Sequence, residues 1–448
     1  MLDKPTFRSP DAFTVRPDYI PKSDYTDPRF SELERERLWP RVWQIACREE
    51  EIPNVGDYVN YEICDDSIIV MRSAPGVIRA FHNVCLHRGR RLCDNARGSV
   101  PFLFCNYHAW RYDLDGKLID RPEPEDWDGC PGMGDDEVRL AEVKVDTWGG
   151  AVWINMDPDC EPLLEFLAPL PEKLGAFDLQ DMRYHAYWTI KMPVNWKVVL
   201  EAFVEAYHVP GTHPQMLQFG HGPSPAPQED IDGARRHSTH TVTKTQGPGP
   251  DSPFYEADVR TLMAGQIQEL YDTLGGAMIM DSGIKAAKRI VSELPEGTDA
   301  ATVRQRYWEF QKEELIRSGA KWPDRLQPSD LWSTAWQIFP NSSILPAVDG
   351  IQWYRMRPDP ENPQHSIFDI WVIARYAPGK EPKAEQEIFE KPGDFKDRQP
   401  FLEQDFANLE AVHKGMRSRG FVAARPSPEQ EATVTNLHRY LHDYLFGD

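Results

Sequence analysis

Residues 85–93 read CLHRGRRLC, and residues 105–110 read CNYHAW. Each stretch puts a thiol and an imidazole on one short loop: Cys85 and His87 with one residue between them, Cys105 and His108 with two. Two sulfurs and two imidazoles from two loops form a metal-ligand set. A zinc site is one reading, although structural zinc sites usually take two cysteines from one knuckle and two histidines from another. One of each kind from each loop suits a [2Fe-2S] cluster with both sulfurs on one iron and both imidazoles on the other. Neutral imidazoles in place of two thiolates leave such a cluster less negative and easier to reduce.

The chain around these loops, from about 42 to 156, reads as short strands and tight turns. VWQIA, DYVNYEI, SIIVMR, VIRAFHN and AVWINMD are examples, and LDGKL at 114–118 reads as a hairpin turn. From about 165 the pattern changes. RYHAYWTIKM (183–192) alternates like a strand, and NWKVVLEAFVEAYH (195–208) reads as an amphipathic helix ended by Val209-Pro210. Strands recur at HSTHTVTKT, IQWYRMR and FDIWVIARYA. Helical stretches follow at 257–274 and 300–319, then QPFLEQDFANLEAVHKGM at 399–416. The expectation is α+β: an all-β module, then an antiparallel sheet with helices on one side. The boundaries expected are a segment 1–41 packing on the catalytic domain, then domains at 42–160 and 161–448. GHGPSPAPQED and QGPGPDSP read as surface loops.

Composition narrows the function classes. Fifty Lys and Arg against 71 Asp and Glu give a net charge of −21 over 448 residues, which excludes a nucleic-acid partner. No apolar run reaches the length of a membrane span, and the polar start MLDKPTFRSP does not read as a signal peptide. Seven cysteines, odd and sparse, suggest a reducing, cytoplasmic setting. Cys47 and Cys64 read as buried small hydrophobes, and the same reading extends to Cys93, Cys130 and Cys160. Arg88, Arg90, Arg91 and Arg97 near the cluster loops have two readings. They form a positive patch for an acidic electron carrier, or Arg88 and Arg90 pair with internal carboxylates or with the neighbouring domain.

A second constellation lies in EAFVEAYHVPGTHP. At about 100° per residue, Glu201, Glu205 and His208 fall within about 60° on the helix expected there, and His213 follows Pro210. Such a stripe is costly to bury unless metal or hydrogen bonds satisfy it. On the later helix, Phe401, Leu402, Leu409, Val412 and Met416 make one apolar face with Asp405 in its middle; Glu403, Glu410 and Lys414 point away. A buried arginine is one partner for Asp405. The other is a metal held with His208 and His213, two histidines and a carboxylate being the facial triad of non-haem Fe(II) oxygenases.

CLHRGRRL, CNYHAW and NWKVVLEAFVEAYHVPGTH together resemble the catalytic α subunits of Rieske non-haem iron ring-hydroxylating oxygenases, over about residues 40–420. The family's loops commonly read C-x-H-R-G and C-P-Y-H-G-W, so this chain departs at Asn106 and Ala109. Many members have asparagine where Ala202 stands and aspartate where Glu205 stands. The resemblance implies a helix-grip (START/SRPBCC-like) catalytic domain beside the Rieske domain. It also implies one Rieske [2Fe-2S] cluster on Cys85, His87, Cys105 and His108 and one mononuclear Fe(II) on His208, His213 and Asp405. Glu205 would link His208 to His108 of a neighbouring subunit. A ferredoxin or flavin reductase would bring electrons from NAD(P)H, in a homotrimer with or without a small β subunit. The reaction expected is mono- or cis-dihydroxylation of an apolar, aromatic substrate; O- or N-dealkylation and attack on a quaternary amine are the alternatives. Phe203, Leu217, Phe219, Met278 and Met280 are candidates to line the cavity, with core packing as the other reading. Two other classes stay open: a stand-alone Rieske electron-transfer protein, and a zinc-stabilised ligand-binding protein.

Overall fold

Strand alternation builds the smaller of two units in the computed structural model, which describes residues 19–134, 137–222, 236–240, 244–245, 247–332 and 335–447. That unit spans Leu33–Pro171; the larger comprises Glu172–Asp448 together with Met1–Glu32. The segment 1–41 therefore divides between the two, and residues 1–18 lie outside the described set.

In the smaller unit the strands are β1 (Gln44–Arg48), β2 (Asp57–Ile63), β3 (Asp66–Ala74), β4 (Val77–His82), β5 (Arg97–Ser99), β6 (Leu103–Phe104), β7 (Arg111–Tyr112), β8 (Leu118–Asp120), β9 (Glu142–Trp148) and β10 (Ala151–Asn155). Seven of them form an antiparallel sheet in the order β1-β10-β9-β4-β3-β2-β5, and β6-β7-β8 form a second, small sheet. The hairpin expected at LDGKL is present between β7 and β8. The Asp113 carboxylate accepts the amides of Asp115 (3.0 Å) and Lys117 (2.8 Å), and Gly116 turns the chain at φ +78°. A Cβ at Gly116 would stand 2.6 Å from the Phe81 ring, so glycine is required there on two counts.

The larger unit is built on a seven-stranded sheet. Its strands are β11 (Arg183–Met192), β12 (Ser238–His240), β13 (Ala335–Ile338), β14 (Ser342–Leu345), β15 (Gly350–Pro358), β16 (Ser366–Ala374) and β17 (Gln386–Phe389), in the order β12-β13-β14-β15-β16-β11-β17. All neighbours are antiparallel except β17, which runs parallel to β11. The helices are α1 (Trp196–Glu201), α2 (Val209–Thr212), α3 (Val259–Thr273), α4 (Asp281–Glu293), α5 (Ala300–Arg317), α6 (Pro400–Met416) and α7 (Ala432–Phe446). Asp258 and Asp299 cap α3 and α5, each carboxylate accepting amides of the first turn at 3.0 Å. Sequence patterning misses α4 and α7. Both carry apolar residues at helical spacing, Ala286, Ala287 and Ile290 on α4 and Val434, Leu437, Leu441 and Leu445 on α7, with polar residues such as Ser282, Thr433, Asn436 and His438 buried among them. Of HSTHTVTKT, Ser238–His240 is a strand and residues 241–243 lie outside the described set, as does most of GHGPSPAPQED.

Every residue of β15 is buried, and the only break in burial along β16 is Ile367. Such a sheet must also bury its polar side chains, and it does so as one cluster. Asp369, fully buried, takes Arg355 at 2.7 Å and Arg357 at 3.2 Å on one oxygen and the Thr189 hydroxyl at 2.7 Å on the other. Burial raises the Asp369 pKa; the two guanidiniums more than reverse it, so the carboxyl ends lowered. Removing one partner from such a pair leaves the other charges buried and unpaired. Asp369→Asn should therefore lower the unfolding free energy by about 3–5 kcal/mol, read as a shift of the urea midpoint. A change under about 1 kcal/mol would show the cluster to behave like a surface pair.

Candidate metal centres

Two turns of the same design carry Cys85/His87 and Cys105/His108. In the first, Gly89 N–H donates to the Cys85 carbonyl (2.9 Å) and Cys85 N–H to that of Arg90 (2.7 Å). In the second, Ala109 N–H donates to Cys105 (3.0 Å) and Cys105 N–H to Trp110 (2.9 Å). Both turns need a left-handed residue at the same place, and it is Gly89 at φ +77° in one and Ala109 at +58° in the other. The departure at Ala109 therefore puts a Cβ where the backbone disfavours one.

Both thiols sit within the unit's hydrophobic core, with Leu103, Trp110, Tyr112 and Leu118, while the imidazoles stand half-buried at its rim. The ring centroids of His87 and His108 are 4.5 Å apart, and His87 stacks on Trp110 at 5.0 Å. Nδ1 of each imidazole is buried without a hydrogen-bond partner. Orphaned ring nitrogens are rare unless something else takes the lone pair. Two buried sulfurs beside two such nitrogens fit a mixed thiolate/imidazole cluster. Burial raises the Cys85 thiol pKa and lowers that of His87, which favours neutral imidazole there.

The sequence does not point to the groups that hold these loops. Tyr112 OH accepts Leu86 N–H (3.1 Å) and lies 3.5 Å from Cys85 Sγ. The Asn83 side chain accepts Leu92 and Cys93 N–H, both at 2.9 Å. Of the two arginines expected to pair with carboxylates in the second reading, Arg90 does so. Arg90 pairs with Asp94 (2.8 Å), Arg91 with Glu62 and Arg97 with Glu51 (3.3 Å), whereas Arg88 donates to Tyr107 OH (2.7 Å). Cys47 and Cys93 are buried as expected. Cys64 and Cys160 are only half-buried, and Cys130 is exposed, which corrects the reading extended to it.

In the larger unit the helix expected over 195–208 stops at Glu201. The carbonyls of Phe203 and Val204 are taken by the hydroxyls of Ser343 (3.0 Å) and Thr433, not by amides four residues on. Glu205 restarts the chain by accepting the amides of Tyr207 and His208. The carboxylate stripe is thereby split. Glu201 turns to Tyr25 OH (3.0 Å) and His438 (2.8 Å), and Glu205 to His208 Nδ1 (2.6 Å).

His208, His213 and Asp405 do come together. Asp405 Oδ1 lies 3.0 Å from His213 Nε2 and 3.6 Å from His208 Nε2, and Asp405 and His213 are buried. The short contact is one of distance only: His213 Nε2 makes no hydrogen bond. Its other nitrogen faces Gln404 Oε1 at 2.7 Å, and Gln215 donates to the same oxygen at 2.8 Å. With Glu205 and Gln404 accepting at Nδ1, both imidazoles present an unprotonated Nε2 toward Asp405. Phe401 stacks on His213 at 3.6 Å. Burial lowers the His208 pKa, and the Glu205 carboxylate more than reverses this, so it ends raised. Among the described residues, no arginine or lysine pairs with Asp405. Gln404 joins the site through His213 with no signature in sequence beyond its place before Asp405.

The buried face of α6 is Leu402, Asp405, Phe406, Leu409, His413 and Met416; Val412, expected in it, is 45% exposed. A 560 Å³ cavity opens on Glu205, His208 and Asp405, with Val198 and Met416 in its wall. None of Phe203, Leu217, Phe219, Met278 and Met280 lines it. Phe203 packs on Tyr354 (4.8 Å), Phe219 on Phe254 (4.9 Å), and Leu217 is exposed.

A family model described as the ring hydroxylating alpha subunit (catalytic domain) matches residues 179–447, and the Rieske [2Fe-2S] domain model matches 42–141. The glycine betaine monooxygenase oxygenase subunit of Pseudomonas aeruginosa (strain UCBPP-PA14) is 35% identical over 203 residues, 44% of this chain and 46% of that protein. The large oxygenase component of salicylate 5-hydroxylase from Ralstonia sp is 33% identical over 240 residues, 51% and 57% of the two chains. Matches to these curated relatives thus span about half of their length. The solved quaternary ammonium Rieske monooxygenase CntA with L-carnitine superposes over 95% of both chains with a TM-score of 0.62 at 17% identity, a likeness of fold.

Ala109→Gly should raise the unfolding free energy by about 1 kcal/mol, seen as a higher denaturant midpoint. An unchanged or lower midpoint would show that the +58° conformation carries no strain.

Proposed function

The chain belongs to the ring-hydroxylating alpha subunits, whose catalytic-domain and Rieske models it matches, and on that premise we propose that it is the terminal oxygenase of a multicomponent system acting on a quaternary amine. The observation that carries the oxygenase reading is the convergence of His208, His213 and Asp405, with both Nδ1 atoms held and Nε2 turned inward. Cys85, Cys105, His87 and His108 would hold the family's Rieske cluster, and the triad its mononuclear iron. When bound, these groups store electrons and activate O2. The balance is O2, two electrons, two protons and a substrate C–H going to C–OH and water. Hydroxylation of an N-methyl carbon of a quaternary amine leaves an N-hydroxymethyl ammonium that breaks to a tertiary amine, formaldehyde and a proton.

The chain's own residues set the stage. Glu205 and Gln404 fix the tautomer of each histidine. Ala206, Val209 and Met216, with Leu270 and Phe401 packed on them, make an apolar cluster that keeps water from that flank. Glu205 also lines the cavity, and this supports its expected role as the link to His108 of a neighbouring copy in a trimer. A ferredoxin or flavin reductase drawing on NAD(P)H would supply the electrons.

The quaternary amine takes precedence over the aromatic substrate expected first. The relatives named for glycine betaine and carnitine support it, and so do the surplus negative charge and the cavity's Glu201, Glu205 and Glu431 against one Arg425. The salicylate enzyme keeps an aromatic ring as the second reading.

With reductase and NADH, O2 uptake and product should appear with glycine betaine or carnitine. Coupled product from salicylate alone would transfer the assignment to the second reading. Glu205→Ala should keep iron and cluster spectra while coupled turnover falls by about 100-fold or more; full activity would remove the link. Gln404→Leu should weaken iron retention by about 10–100-fold on dialysis, and unchanged iron content would show that Gln404 does not support His213.

A further inference from the structure

A second set of two histidines and one carboxylate lies in the larger unit, outside the iron triad. His438 and His442 stand four residues apart on α7, one turn above the other, and face Asp24 in the short helix Ser23–Thr26. Asp24 Oδ2 is 2.7 Å from His442 Nε2 and 3.3 Å from His438 Nδ1, and all three ligand atoms lie within 4.8 Å of one another. The corresponding carboxylate–imidazole separations in the iron triad are 3.0 and 3.6 Å. Ligand atoms on a tetrahedral ion at 2.0–2.1 Å are about 3.3 Å apart, so a small closing or opening of either set suffices.

The surroundings follow the same design. The far nitrogen of His438 is held by Glu201 Oε1 at 2.8 Å, as Glu205 holds His208, and Tyr25 OH anchors the other oxygen of Glu201 at 3.0 Å. A carboxylate behind a ligating imidazole fixes its tautomer and raises its basicity. Asp24 and His438 are buried, and Phe30 and Phe446 close around the His442 ring at 6.0 and 5.3 Å. An i,i+4 histidine pair and a buried carboxylate, with His442 partly exposed so that water can complete the set, suit a compact divalent ion with nitrogen and oxygen ligands.

We propose that Asp24, His438 and His442 form a structural zinc-class site, distinct from the iron triad, that clamps the N-terminal segment to α7. The role is one of stability, since the set joins residues more than four hundred positions apart. Ile20–Pro21 already pairs with Ala423–Ala424 in the same region, and the ion would lock that closure. The competing state is an ion-pair network in which protonated imidazoles share Asp24, with no metal.

The test compares holoenzyme with His442→Gln, both dialysed against zinc and then against zinc-free buffer. Glutamine can still donate a hydrogen bond to Asp24 but its amide is a poor ligand. The expected result is roughly one zinc per protomer in the parent and about tenfold less in the variant, with iron per protomer unchanged. Background zinc in the parent, or equal zinc in both, overturns the site. Joint loss of zinc and iron places the zinc at the iron triad and overturns it as well. If the variant does not fold, chelator-treated parent protein decides: recovery of its Tm on adding micromolar zinc, but not magnesium, supports the site, and no recovery overturns it.

Discussion

An imidazole has two nitrogens, and the chemistry of this chain depends on which of them keeps the proton. At His208 the 2.6 Å contact with Glu205 settles it, and at His213 the 2.7 Å contact with Gln404 does the same. Each acceptor consumes Nδ1 and leaves Nε2 to face Asp405. The smaller unit uses the opposite nitrogen: His87 and His108 bury an unpartnered Nδ1 beside two core thiols. One residue type thus faces the two candidate metal sites with opposite ring nitrogens.

Much of this was legible in the sequence because ligand spacing is local. The two Cys/His loops, His208 and His213 each lie within a few residues of their partners, and Asp405 was marked by its place in an apolar stripe. What was hidden depended on distant chain. The helix through 195–208 breaks because Ser343 and Thr433 capture carbonyls at 203 and 204, and no periodicity within that stretch could announce it. His413, not Val412, lies in the stripe: at 100° per residue His413 falls about 20° from Leu402 and Val412 about 80° from it, so residue type rather than spacing suggested Val412. α7 escaped notice although Leu437, Leu441 and Leu445 are spaced as one helix face, because polar groups are buried among them, His438 with partners, Asp24 and Glu201, that lie far away in the chain.

The break after Glu201 has a structural use. A continuous helix would have carried Glu201, Glu205 and His208 as one stripe competing for the same partners. Splitting the stripe sends Glu201 toward Tyr25 and His438 and frees Glu205 for His208. β15 and β16 beneath the irregular backbone are buried almost throughout and are tied by the Asp369, Arg355 and Arg357 cluster.

The two units differ in how the chain visits them. Leu33–Pro171 is contiguous, whereas the larger unit joins Met1–Glu32 to Glu172–Asp448. On the ribosome the contiguous unit can close as soon as its last strand emerges. Ile20–Pro21 must wait for Ala423–Ala424, and Asp24 for His438 and His442. At about 5–20 residues per second that delay is roughly 20–80 s. During that interval nascent residues 20–27 remain open to chaperones and proteases, and the large sheet completes its enclosure only near the end of translation.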